Sequence, residues 1–133
     1  MYVINRTRGT FLGVDITVAR SSLSRMIGLY TRRSLQLGDG VWLVPCRSIQ
    51  TIGMRMPIDV VFLDSRRHVV RVLQHVKPGR VIWRVDKANS VLELPSGAVR
   101  SSATRVGDVL ELVEALEGIP APALHEDPQR IGG

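Results

Sequence analysis

Cys46, Gln50, Thr51, Met54, Arg55 and Asp59 fall within one short stretch, an extended segment, a corner around Gly53 and Pro57, and the start of a strongly apolar run. Side chains on such a strand-loop-strand unit can converge on one cleft, and Arg32 upstream is a candidate to join them. Arginine beside a carboxylate favours an anionic ligand, because a guanidinium offers a planar fork of donors to a carboxylate or phosphate. Nucleophilic chemistry would need Cys46 or Asp59 with a base in reach. His68 and His75 are the candidate bases and stand in no recognisable motif, while His125 is close to the C-terminus. Cys46 is the single cysteine, so it forms no internal disulfide and reads first as a small hydrophobe on a strand. The three histidines are scattered, and no His-x-His, Cys-x-x-Cys or His-Glu-x-x-His spacing occurs. Neither a metal nor any other cofactor is expected.

Asp59 is the sharpest of these residues. In Ile58-Asp-Val-Val-Phe-Leu-Asp64, residues 58, 60 and 62 share one face and 59, 61 and 63 the other. Both faces are apolar, so the strand should be covered on both sides and Asp59 at least partly buried. A buried carboxylate needs donors: Arg55, another arginine, or backbone amides of the preceding corner. A role in pinning the Gly53–Pro57 loop outweighs a catalytic one.

The elements that position these residues are mostly strands. Val14, Ile16 and Val18 alternate with polar neighbours. Val41–Val44, the extended stretch Cys46–Ile52, Arg80–Val85, Val91–Leu94 and Val109–Val113 read as further strands. Ile58–Asp64 and His68–Leu73 form a hairpin around Ser65-Arg66-Arg67, and Gln74–Gly79 reads as a loop. Leu23, Met26, Ile27 and Tyr30 make a helical stripe with Ser21 or Ser22 as N-cap. Gly28 within it costs about 1 kcal/mol against alanine. The pattern predicts a mainly β (α+β) protein, a compact β-sandwich or jelly-roll-like barrel with one short helix.

Composition sets the remaining bounds. A chain of 133 residues with 44% hydrophobic and 23% charged residues suits one globular domain. Residues 1–117 are read as that domain and 118–133, with three prolines, as a flexible tail. No apolar run approaches the ~18 residues of a membrane-spanning helix, and no secretory leader is visible, so the expected location is cytoplasmic. Residues 1–105 carry 17 Lys or Arg against 6 Asp or Glu, net +11, whereas residues 106–133 carry net −5. A body so rich in arginine admits nucleic acid or another polyanion as partner, although an aromatic content of 5% argues against a base-stacking platform. The terminal Gly132-Gly133 admits a carrier role.

Five segments in order resemble one uncharacterised bacterial and archaeal family, domain of unknown function 192, over about residues 11–113. They are Gly28-Leu-Tyr-Thr-Arg-Arg-Ser-Leu35, Gly40–Val44, Ile52–Asp64, Leu92–Gly97 and Val106-Gly-Asp108. The resemblance implies a compact β-rich sandwich and no established activity. Tyr30 stands where methionine is usual, Arg67 where the hairpin turn usually has glycine, and Gln50 where one subgroup has histidine. The preferred expectation is a non-enzymatic binding or accessory domain whose arginine-lined cleft takes an anionic ligand or acidic peptide. The alternatives are a polyanion binder, a hydrolase-like enzyme using Cys46 or Asp59, and a Gly-Gly carrier.

Overall fold

Two stretches of the chain, Ile58–Leu63 and Ser90–Pro95, are buried at every residue and dictate where the rest must go. A computed structural model describes residues 1–20, 35–115, 122 and 124. Among them are β1 (Tyr2–Asn5), β2 (Thr10–Gly13), β3 (Asp15–Ala19), β4 (Asp39–Leu43), β5 (Ile49–Gln50), β6 (Ile58–Leu63), β7 (Val69–Val76), β8 (Val81–Ile82), β9 (Ser90–Pro95) and β10 (Leu110–Val113), with one short helix, α1 (Ala98–Ser102). Strands β3-β4-β9-β6-β7 form the central sheet, parallel between β3 and β4 and antiparallel elsewhere. A three-stranded sheet, β10-β1-β2, and a two-stranded one, β5-β8, complete the fold.

The central sheet needs cover on both faces because β6 and β9 are apolar on both. One face, with Ile16, Trp42, Val61, Leu63, Leu92 and Leu94, packs against Val3, Leu12 and Leu110 of the three-stranded sheet and against Ala98 and Val99 of α1. The opposite face, with Val41, Leu43, Ile58, Val60, Phe62 and Val91, packs against Leu35, Ile49, Met54, Val85 and Ala88. The expected β-rich sandwich is what forms, with one short helix among the described residues, and its sheets stay open rather than closing into a barrel. None of the described helices is long and apolar enough to cross a membrane.

Several expectations change in detail. The helical stripe at 23–30, with Gly28, lies outside the described residues. The described helix is instead α1, whose five residues are too few to show a period. The hairpin β1–β2 was invisible in the sequence because Arg6-Thr-Arg-Gly9 interrupts the apolar pattern. The expected strands Cys46–Ile52 and Arg80–Val85 pair only at Ile49↔Ile82 and Gln50↔Val81. The reading of 118–133 as a tail falls almost wholly outside the described residues; Leu124, which is described, is half-buried, and a methyl added at Gly38 would come within 3.4 Å of its Cδ1.

The expected loop at Gln74–Gly79 begins late, because β7 continues to Val76 through a bulge. Ile58 pairs with Val76 and Val60 with Leu73, so Gln74 and His75 together oppose Asp59. His75 has φ 53, a left-handed conformation that costs a non-glycine residue about 1 kcal/mol or more. Asp59 makes that conformation hold. Its Oδ1 accepts the His75 N–H at 2.9 Å, and its Oδ2 accepts the N–H groups of Gly97 at 3.1 Å and Val99 at 3.0 Å. The carboxylate is fully buried on the face shared with Val61 and Leu63. Its donors are therefore backbone amides of the bulge and of the β9–α1 turn, where Gly97 takes φ 100. This corrects the expectation that Asp59 pins the Gly53–Pro57 corner or pairs with Arg55, which is exposed.

Replacing Asp59 by Asn puts an NH₂ group among three backbone amide donors, that of Val99 buried and those of His75 and Gly97 part-buried, and should destabilise the protein by about 2–3 kcal/mol. Urea denaturation of the two proteins checks this, and coincident midpoints would contradict the pin.

Candidate functional site

The residues singled out in the sequence are placed around the β5–β8 layer and its loops. Thr51 is fully buried. Its hydroxyl donates to the Lys77 carbonyl at 2.8 Å and accepts the Arg80 N–H at 2.9 Å, tying the two strands' loops together. Gln50 turns its Oε1 back to the Ile52 N–H, and Met54 is packed in the core beside Ile58. The Cys46 thiol donates to the Ser48 carbonyl at 3.0 Å. Both candidate bases are engaged elsewhere: His75 Nδ1 lies 2.8 Å from Ser96 Oγ, and His68 Nδ1 lies 3.7 Å from Asp64. Arg32 and His125 lie outside the described residues.

Glu93 is a site residue that the sequence reading passed over. It sits in the middle of β9, paired with Val41 on one side and Val60 on the other. Its side chain shares the apolar face of Val91 and is 3% exposed. Oε1 is the buried side-chain oxygen left without a hydrogen-bond partner among the described residues. Burial without compensating donors penalises the charged form and pushes the Glu93 carboxyl up to about 7. Asp59 and Glu93 thus show opposite solutions to one problem, on opposite faces of one sheet. The signal was available, because a lone acid within Val91-Leu92-Glu93-Leu94 meets the same two-sided apolar criterion as Asp59.

A second site lies at the other end of the central strands. Val18 and Arg20, Trp42 and Val44, Asp64, Ser65 and Arg67, Asn89 and Ser90, and Leu112 together line a cleft of about 130 Å³. Among the described residues, none of the candidate site residues Cys46, Gln50, Thr51, Met54, Arg55 and Asp59 lines it. Trp42 forms part of its apolar wall and is itself buried. The Arg67 guanidinium sits over the indole, 5.9 Å from the ring centroid. Arg67 is the residue that stands in the place of a turn glycine, and its φ of 64 keeps that left-handed geometry. Asp64 organises the turn by accepting the N–H groups of Arg66 and His68 on Oδ1, each at 2.9 Å. Partial burial alone would raise the Asp64 carboxyl, but those two amides and the charges of His68 and Arg66 together hold it below the usual range. Glu111, which also feels the Arg67 charge, is ion-paired with Arg6. Arg20 has no ion-pair partner among the described residues. Positive charge therefore prevails in the cleft.

A structural core with polar chemistry collected at strand ends and turns places the chain among open β-sandwich domains, whose rims vary on a fixed scaffold. The chain belongs to the DUF192 family, described as "Uncharacterized ACR", whose model matches residues 3–112. A UPF0127 protein of Pyrococcus furiosus is 30% identical over 112 residues, spanning 82% of this chain and 96% of the relative. A UPF0127 protein of Thermococcus sibiricus is 29% identical over 127 residues, spanning 90% and 81%. Among solved structures, a protein of unknown function from Novosphingobium aromaticivorans superposes with a TM-score of 0.71 at 21% identity, over 84% of each chain. One from Sinorhizobium meliloti, described as a candidate transcription regulator, superposes with a TM-score of 0.68 at 22% identity, over 83% of this chain and 89% of that one. These two likenesses show a shared fold.

Glu93 makes stability depend on pH in a defined direction. Its folded value of about 7 lies above the ordinary glutamate value of 4.5, so the folded state holds the proton more tightly. The contribution is complete below the unfolded value and is lost as pH rises through about 7, a change of about 3 kcal/mol between pH ~5 and ~9. Glu93→Gln should abolish that change. Urea midpoints across this range should converge for the two proteins at low pH or favour the parent there, with the variant ahead at high pH. Parallel profiles would contradict an unpartnered Glu93.

Proposed function

We propose that this chain is a non-enzymatic binding domain that holds a phosphate or carboxylate group between Arg20 and Arg67 in the cleft beside Trp42. The observation that carries this reading is Arg67 itself. Glycine would occupy a φ of 64 without strain, yet an arginine is held there with its guanidinium over a buried indole. Strain of this kind is supported elsewhere in the structure, here by the Asp64 turn and by the Leu110 N–H bonded to the Arg67 carbonyl at 3.0 Å. Size narrows the ligand. Small-molecule pockets of drug-sized ligands run from about 300 Å³ upward. A space of about 130 Å³ suits one anionic head group, with the remainder of the ligand in solvent.

The reading keeps the arginine-lined cleft expected from the sequence and moves it from Arg32, Arg55 and Asp59 to Arg20 and Arg67. A polyanion reading draws on the net +11 of residues 1–105 and on the description of the Sinorhizobium neighbour. It differs in what it demands. Polyanion binding spreads over many arginines and falls steeply with salt, whereas a head-group site depends on two residues.

Titration of the isotope-labelled protein with inorganic phosphate, citrate and a short oligonucleotide, followed by amide and indole chemical shifts, separates them. Phosphate or citrate should shift the Trp42 indole N–H and the amides of Arg20, Arg67 and Ser90. Arg67→Ala should weaken that binding about tenfold or more, and Arg67→Gly should do the same while raising stability by up to about 1 kcal/mol. Shifts scattered over the exposed arginines, or undiminished binding by both variants, would overturn the proposal.

A further inference from the structure

The β5–β8 layer is apolar on both sides. Ile49 and Ile82 pair with each other and face the core, with Ile49 buried and Ile82 packed against it. Alternation then turns Gln50 and Val81, which also pair, outward. Beyond the strands, Thr51 and Arg80 stay joined through a hydrogen bond of 2.8 Å, and Ile52 enters the turn closed by the Met54 N–H on the Thr51 carbonyl at 3.2 Å. Trp83 lies immediately past the end of β8, two residues after Val81. Their exposures are 66%, 61% and 71%, and they make up half of the six large apolar side chains exposed among the described residues. Three such side chains on one two-stranded layer and its immediate flanks form a patch, where single exposed apolar residues would need no explanation.

Charge surrounds the patch. Residues 47–55 and 77–87 contain six Lys or Arg and one Asp, and all six cations are exposed. Arg84 is held with φ 43, its N–H donating to Ser48 Oγ at 2.7 Å, and its guanidinium lies 5.6 Å from the Trp83 ring centroid. A left-handed arginine stacked on an exposed indole keeps the cation at the edge of the apolar surface instead of in bulk water.

We propose that the outer face of the β5–β8 layer docks on an anionic lipid bilayer, with Ile52, Val81 and Trp83 entering the head-group boundary. Arg80, Arg84 and Lys77 would then meet lipid phosphates. The surface chemistry selects this occupant. Exposed aliphatic side chains gain nothing from a nucleic-acid backbone, whereas an acyl boundary takes them out of water. Side chains more than 60% exposed project from the layer and wall no groove for a peptide. Tryptophan suits the interface, with an apolar body and a polar N–H. Basic residues beside it add attraction to anionic head groups that is effective within a Debye length.

The test uses the full chain with vesicles of phosphatidylcholine alone, vesicles containing about one-third phosphatidylglycerol, and a single-stranded oligonucleotide. Co-sedimentation and tryptophan emission are read together, with buried Trp42 as the constant component. Partition onto the anionic vesicles alone, with a blue shift of emission, is expected. Trp83→Ser should remove the shift, and Arg80→Glu with Arg84→Glu should weaken partition about tenfold or more. These surface variants should retain the parent's circular dichroism. Arg67→Ala should partition like the parent, which separates this surface from the anion cleft. Failure to bind anionic vesicles, or undiminished partition by Trp83→Ser and the charge variant, would overturn the proposal. So would oligonucleotide binding that Trp83→Ser abolishes while vesicles remain unbound.

Discussion

One buried carboxylate joins the parts of this fold that sequence proximity does not. Asp59 accepts backbone N–H groups from residues 16, 38 and 40 positions away along the chain, and so connects the β7 bulge to the turn that starts α1. Those amides cannot find partners in a regular ladder. His75 is bulged out of register, and Gly97 lies between a strand and a helix. A buried N–H left unpaired costs about 1–3 kcal/mol, so the buried Val99 amide with the part-buried amides of His75 and Gly97 carries an appreciable share of the stability of a small domain. The carboxylate satisfies all three and lets Ala98 and Val99 seal one face of the central sheet.

With that face closed, the polar residues that remain unexplained are at the periphery, and two share a device. Arg67 and Arg84 both occupy left-handed backbone positions, and both stack on tryptophan. Arg67 borders a small cleft and Arg84 an exposed apolar face. Backbone strain in a turn is a cost that the scaffold must offset. In each case it fixes the direction of a cation that an unconstrained arginine would leave to solvent. Glu93 is the exception inside the core: its Oε1 has no hydrogen-bond partner among the described residues, and the residue lowers stability once ionised.

The parts of the fold legible in the sequence were those in which period and burial coincide. Ile58–Leu63 reads as a two-sided apolar strand, and that alone located Asp59 in the core. It could not identify the donors, because His75, Gly97 and Val99 approach through a bulge and a turn that leave no periodic trace. Glu93 satisfies the same criterion and was legible, as a lone acid in the apolar run Val91-Leu92-Glu93-Leu94. The cleft was not legible at all. Arg20, Trp42, Arg67 and Ser90 come from four separate segments whose ends meet only because β3-β4-β9-β6 are ordered as they are. The left-handed turn at Arg67 could be anticipated from the resemblance, but not the indole beneath the guanidinium.

The role of Asp59 is most directly tested by amide hydrogen exchange in the native protein at residues 75, 97 and 99. If the carboxylate holds the bulge and the α1 turn to the central sheet, these three amides open only with the whole molecule. Their protection should then equal that of Val61 and Leu92 in the core. Exchange at His75, Gly97 and Val99 much faster than at those core strands would show local opening around Asp59. The pin would then not be the interaction on which the fold depends.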